Sequence, residues 1–246
     1  MFDHTGMAAC NCSRRGFLRG AAALGMASFV AAPALADSCV PFDRTRQTAT
    51  SPDDAIALLK AGNQRLLDGK TVNCDLLGQI KATATGQAPF AAIVGCIDSR
   101  VPPELIFDQR IGDVFAARIA GNFVNTDIIG SLEFATKITG SRAIVVLGHT
   151  ACGAIRGAIS NAELGNLTAT LMNIEPAVVA AEASFDGEKT ADNPAFVQLV
   201  ADMNAKLAAK MITDRSHVIQ ELVKAGDVKV VAAMHDVATG RVTFFD

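Results

Sequence analysis

Apolar and polar positions fall into blocks along this chain that switch between two periods. Phe90–Gly95, Val114–Ile119 and Ala143–Leu147 are short, nearly continuous apolar runs. Runs of that length without a polar face read as strands buried on both sides. The intervening blocks carry apolar residues at helical spacing. Ser51-Pro52-Asp53-Asp54 starts a helix, with Ser as N-cap, Pro at the first helical position and acids in the first turn. Ile56, Leu59, Leu66 and Leu67 continue it to Gly69 as an amphipathic helix that should lie across another surface, a second subunit being one option. Residues 37–50, polar and containing Pro41, read as an N-terminal arm, and 70–87 as a loop with one short helix. Pro102-Pro103 opens a short helix; others are expected over 126–139, 152–160, 167–184 and 194–225. Residues 228–237 and 241–245 form a hairpin around Ala238-Thr239-Gly240. The alternation predicts an α/β fold: a mostly parallel central sheet with helices on both faces and an antiparallel C-terminal edge strand.

The first 36 residues stand apart. Ser13-Arg14-Arg15-Gly16-Phe17-Leu18 is a twin-arginine pattern, followed by a Gly/Ala-rich stretch ending in Ala34-Leu35-Ala36, a small-residue cleavage site. The stretch is short for a membrane span and interrupted by Pro33, so an uncleaved anchor is the weaker reading. The expectation is a signal peptide over 1–36, a single α/β domain over 37–246, membrane contact only during export, and a periplasmic or otherwise exported protein. Removing 1–36 takes away Asp3, Arg14, Arg15 and Arg19. Of 22 basic side chains 19 remain, and of 25 acidic ones 24, a formal charge of −5. No basic stripe is present, which argues against nucleic-acid binding. Half of the residues are apolar, enough for a full core.

Four cysteines remain in the mature chain: Cys39, Cys74, Cys96 and Cys152. Cys39 and Cys74 lack metal-type spacing and read as ordinary thiols or an incidental disulfide. Cys96 and His149 each follow an expected strand, at the end where open α/β sheets bind ligands. Cys152 lies three residues beyond His149 at a helix start, where the helix dipole favours thiolate. Two thiols and an imidazole suit zinc, whose catalytic sites use three protein ligands and keep a fourth position open. Alternation places Asp98 and Arg100 on the side of Cys96, the carboxylate as proton or hydrogen-bond acceptor and the guanidinium as its bidentate partner. Two thiolates offset the metal's charge, so bound water should be less acidic than the value of about 7 at a three-His site. His217 and His235 are proton-shuttle candidates only as the remaining histidines of the mature chain; surface and hairpin roles fit both better.

Cys96-x-Asp98-x-Arg100 followed by His149-x-x-Cys152-Gly153 resembles the signature of the β-class carbonic anhydrases. The likeness continues through Val101–Asp108, Arg118–Asn122, Ser131–Phe134 and Val145–His149. It implies that fold, zinc-dependent reversible hydration of CO2 to bicarbonate and a proton, one Zn2+ per chain on Cys96, His149 and Cys152, and an Asp98–Arg100 catalytic dyad. It also implies substrate contacts by Gln87, Phe115, Ala120, Phe134 and the Gly153 N–H, and a homodimer or higher homo-oligomer in which two subunits complete each pocket. Ala120 is smaller than the usual Val, and Phe134 replaces a common Tyr. One branch of the family closes its site when bicarbonate fills a second pocket built on Trp, Arg and Tyr. Arg118 matches that Arg, but the Trp position is Ile93 and the chain has neither Trp nor Tyr, so this shutdown should be missing. Hydrolysis of carbonyl sulfide or carbon disulfide, and a non-catalytic zinc-binding relative, remain alternatives.

Overall fold

The structure, a computed structural model, describes residues 39–72 and 74–245. The expected signal peptide lies outside them. Among the described residues no helix is long and apolar enough to cross a membrane.

Among the described residues five strands form one sheet: β1 (Ala91–Gly95), β2 (Val114–Arg118), β3 (Ala143–His149), β4 (Lys229–His235) and β5 (Val242–Phe244). Their order is β2-β1-β3-β4-β5, with only β5 antiparallel. β1 and β3 are buried along their whole length, as their uninterrupted apolar runs require. Alternation splits their side chains between two cores. Ile93, Val145 and Leu147 pack with Leu59, Phe107, Ile174 and Phe196 on one face. Val94, Ile144 and Val146 pack with Leu132, Ile212 and Ile219 on the other. Strand order reverses between β1 and β3, a topological switch point where a crevice opens at the strands' carboxyl ends.

The helices refine the expected pattern. In the arm, Asp43 caps a helix, α1 (Arg44–Ala49), whose buried Gln47 donates to the carbonyls of Pro89 and Thr139 at 2.7 and 3.0 Å. α2 (Pro52–Leu67) has the expected Ser51 cap, closed into a capping box by Asp54. Part of its apolar face packs on its own chain. Ala55, Ile56 and Leu59 enter the core, and a Cβ at Gly62 would lie 1.8 Å from the Phe107 carbonyl oxygen. Asn63 fixes the rest: its amide donates to Ile106 and Gly240, and its oxygen accepts from Val242. α3 (Leu76–Thr83) is the short helix expected before β1, and α4 (Pro103–Ile106) the one opened by the proline pair.

The expected helix over 126–139 is α5 (Thr126–Glu133) running into a π-turn at Phe134–Ile138. α6 (Gly153–Ile159) follows β3. The expected helix over 167–184 divides into α7 (Gly165–Leu171) and α8 (Glu175–Glu182), because Pro176 cannot supply the amide a continuous helix needs. The span 194–225 divides into α9 (Pro194–Arg215) and α10 (His217–Lys224) at Ser216. The Ser216 hydroxyl accepts from Ile219 and donates to Glu133, an arrangement that favours a new cap over another helical turn.

Cys39 and Cys74 form a disulfide, tying the arm to the loop before α3. A closed loop of this size stabilises by about 2–4 kcal/mol. The Cys39→Ser/Cys74→Ser protein should therefore unfold roughly 5–10 °C earlier in calorimetry, at about 2–4 °C per kcal/mol for a domain of this size. A shift below a degree would show the bridge to be energetically idle.

Candidate metal centre and active site

β1 delivers Cys96 one residue past its end, β3 ends on His149, and Cys152 is the N-cap of α6. The short turn between His149 and Cys152 closes because Ala151 adopts a left-handed conformation, with φ 54°. Such a backbone costs a residue with a Cβ about 1–3 kcal/mol. Nothing in the local sequence marks Ala151 for it, and sequence reasoning missed it.

The ligand atoms of Cys96, His149 and Cys152 lie within 4.8 Å of one another, and all three residues are buried. His149 Nδ1 is 2.9 Å from the Thr150 carbonyl oxygen. A carbonyl only accepts, so the proton sits on Nδ1 and Nε2 keeps its lone pair. Nε2 is buried without a hydrogen-bond partner. A buried nitrogen acceptor left unpaired beside two thiols fits a metal with imidazole and thiolate affinity. The sulfurs share one proton. The Cys152 thiol donates to Cys96, which with the Gly121 amide brings Cys96 down to about 4 against the effect of burial. The same bond, together with burial, pushes Cys152 up. A dication there would replace that proton and draw both sulfurs into the thiolate form.

Backbone and side-chain donors beyond the cluster steady Cys96. The Gly121 N–H donates to its sulfur at 3.3 Å, and Asn204 Nδ2 holds the Gly121 carbonyl at 2.7 Å. Gly121 has φ 81°, and a Cβ there would lie 2.5 Å from Ile174 Cδ1, so only glycine fits.

Asp98 and Arg100 meet as the alternation suggested. Arg100 Nε and Nη2 donate to the two carboxylate oxygens at 2.9 and 2.7 Å, and its backbone N–H adds a third bond at 3.0 Å. This guanidinium clamp holds the Asp98 carboxyl well below the usual range. Asp98 Oδ2 lies 3.9 Å from His149 Nε2, so the carboxylate faces the orphaned nitrogen.

The other expected contacts are spread out. Phe115 on β2 packs edge-on against Phe134 with ring centroids 6.2 Å apart. Both line an apolar groove of about 820 Å3 along the outer sheet edge, with Ala92, Ala117, Ile128 and Leu132. Phe134 is 52 % exposed there. Ala120 is half-buried just beyond β2, and Gly153 opens α6 with free space where a Cβ would stand. Gln87 is exposed at the amino end of β1, whereas Cys96 follows its carboxyl end. Five strand residues, roughly 16 Å, separate those ends, so one chain does not bring Gln87 to its own cluster. His217 is exposed and pairs with Glu221 at 3.2 Å. His235 is buried opposite His149 in the β3–β4 register, with burial lowering its pKa.

A parallel sheet with a buried Cys–His–Cys cluster and an ionised Asp–Arg pair at its switch point defines an α/β enzyme with a metal-type site. Comparison with known proteins is more particular. The sequence model of a family described as carbonic anhydrase matches residues 91–242. Carbonic anhydrase 2 of Mycobacterium tuberculosis is 32% identical over 203 residues, covering 80% of this chain and 94% of that protein. A carbonic anhydrase of Pseudomonas aeruginosa is 32% identical over 173 residues, 68% of this chain and 77% of its own. Among solved structures, the β-carbonic anhydrase CafA of Aspergillus fumigatus superposes with TM-score 0.62 at 25% identity, covering 79% of this chain and 90% of its own. A tetrameric β-carbonic anhydrase of Sordaria macrospora superposes with TM-score 0.60 at 28% identity, covering 82% and 98%. The chain belongs to the β-class carbonic anhydrase family and is an enzyme of that family.

Proposed function

We propose that the chain catalyses reversible hydration of CO2 to bicarbonate and a proton with one zinc held by Cys96, His149 and Cys152. The observation that carries this reading is the buried, unpaired His149 Nε2, which shares a 4.8 Å cluster with two sulfurs and faces the Asp98 carboxylate. Bound there, zinc would supply Lewis acidity that makes a water nucleophilic near neutral pH. Asp98, acceptor-only when ionised, takes a hydrogen bond from the attacking water and leaves its oxygen lone pair aimed at carbon. Arg100 fixes that carboxylate through two parallel bonds. The resemblance gives CO2 an apolar wall of Phe115, Ala120 and Phe134; Phe115 and Phe134 line the sheet-edge groove, so they, like Gln87, would reach a cluster from a second copy, while the Gly153 N–H offers a donor to bicarbonate. Gln87 serves a site only from a second copy, so the proposal includes a homodimer or larger assembly; the tetrameric Sordaria macrospora relatives support it. Stopped-flow CO2 hydration with metal analysis on residues 37–246 tests the reading. Zinc near one per chain with rapid hydration supports it. A metal-loaded protein inert to CO2 but active on carbonyl sulfide would overturn it.

The depressed Asp98 pKa sets a pH expectation. Its ionised form adds stability above the ordinary value of about 3.9, lost only as pH falls through the lower folded value. Asp98 therefore stays charged from pH 5 to 9, and one other proton should govern the acid limb of the rate profile. Ile93, fully buried in β1, stands where the regulated branch has its Trp, and an aliphatic side chain offers a second bicarbonate no hydrogen bond. Hydration should thus fall smoothly toward low pH. A steep loss that bicarbonate deepens would contradict this.

Export through the twin-arginine route is the accompanying proposal. The Cys39–Cys74 disulfide, placed just after the expected cleavage site, suits an oxidising compartment. Arg14→Lys with Arg15→Lys should leave the precursor in the cytoplasm on fractionation; unchanged export would refute the signal.

A further inference from the structure

Arg118 ends β2 opposite Gly95, the last residue of β1. Its guanidinium meets no carboxylate within ion-pair distance among the described residues; instead it reaches across to the neighbouring strand's exit. Nε donates to the Cys96 carbonyl at 2.8 Å and Nη2 to the Asp98 carbonyl at 2.6 Å. These carbonyls belong to the cluster's first sulfur donor and to the acidic member of the dyad. The Asp98 carbonyl also accepts from the Val101 N–H at 3.1 Å. Asp98 is thus gripped twice, by Arg100 on its carboxylate and by Arg118 on its backbone.

We infer that Arg118 is a positioning residue whose guanidinium fork locks the peptide planes of Cys96 and Asp98, and so keeps the Asp98 carboxylate facing the Cys–His–Cys cluster. The inference rests on the proposed hydration chemistry for its kinetic effect, but its geometric content does not. The segment 96–98 has left the sheet. Between Cys96, which is buried, and Asp98, Ile97 is 61 % exposed. The Arg100 clamp lies two residues away in the same loop and is tied outside it by a long 3.4 Å bond from Nη2 to the Ala151 carbonyl, in a turn that is itself beyond the sheet. Arg118 is anchored in the sheet, so its bonds refer the loop to a rigid frame. A planar fork with donors at fixed spacing suits two carbonyls two residues apart; a lysine ammonium reaches one at a time.

The test compares Arg118→Met, which keeps the apolar stem and removes every donor, with Arg118→Lys. Thermal unfolding, zinc per chain, the visible spectrum of the cobalt-substituted protein, and kcat and KM for CO2 hydration are measured on each. Arg118→Met should melt within a few degrees of the parent and hold its metal, yet lose about 10- to 100-fold in kcat with little change in KM, the usual cost of removing a group that orients the residues around a metal. Its cobalt bands should shift as the Cys96 sulfur and Asp98 relax, and Arg118→Lys should fall between. An unchanged kcat and cobalt spectrum in Arg118→Met would overturn the inference. So would activity per metal-loaded, folded chain equal to the parent, which would make Arg118 a purely structural residue. If Arg118→Met does not fold, Arg118→Lys decides, because parental kcat and spectrum there refute the fork. Should the parent itself fail to hydrate CO2, the functional reading fails, while the cobalt spectra still judge the positioning role.

Discussion

Asp98→Asn should leave the metal in place and remove most of the hydration activity, at least about 100-fold in kcat, the lower range for losing a positioned acid–base group. The asparagine keeps the size and one acceptor oxygen, but it brings an NH2 that can only donate. Arg100 Nε and Nη2 now bond separate carboxylate oxygens at 2.9 and 2.7 Å. An amide would turn its NH2 toward one of those donors or toward the attacking water, and either choice breaks the alignment. Cys96, His149 and Cys152 are untouched, so zinc content should match the parent. Metal analysis beside stopped-flow rates separates the effects. Turnover near the parent's would reduce Asp98 to a structural partner of Arg100.

Cys152→Ser should fail earlier in the chain of cause, at metal retention. Cys152 is 2 % exposed and closes the cluster from the start of α6. Serine is smaller, remains protonated near neutral pH and is a poor ligand for a borderline-soft dication. Zinc should fall well below one per chain after dialysis against a mild chelator, with activity falling in proportion. The fold should survive, because the core beneath rests on Ile155, Ile174 and Leu147 rather than on the cluster. Full zinc retention in this variant would remove Cys152 from the ligand set.

The two experiments divide the site along a real seam. The cluster residues sit on regular elements: a strand exit, a strand end and a helix cap. Asp98 and Arg100 sit on a loop whose shape depends on partners elsewhere in the chain. That difference explains what could be read in advance. Cys96, His149 and Cys152 were legible because two apolar runs announce two parallel strands, and parallel strands end on one side of the sheet. The Asp98–Arg100 pair was legible because extended backbone puts alternate residues on one side. The α2 start was legible because Ser51, Pro52 and Asp54 act within one turn of each other.

Other features had no local cause to read. The Cys39–Cys74 bridge joins residues 35 apart, with Cα atoms 5.3 Å from each other, only because Phe42 and Gln47 dock the arm near Phe90 and Pro89. The left-handed Ala151 is held by the loop's closure, against its own preference. Arg118 was visible in the sequence only as part of the family pattern; its two carbonyl partners appear once β1 lies beside β2. Gln87, a substrate contact by the family resemblance, lies at the amino end of β1, so only a second copy could bring it to a cluster. By itself, the sequence determined the elements, the strand ends that carry the donors and the chemistry those donors can perform, since each depends on neighbours within a few residues. The tertiary structure alone decided the register that sets β1 between β2 and β3, the shape of the loop holding Asp98, and the backbone strain at Ala151. Those depend on contacts between distant segments, whose free energy no local stretch contains.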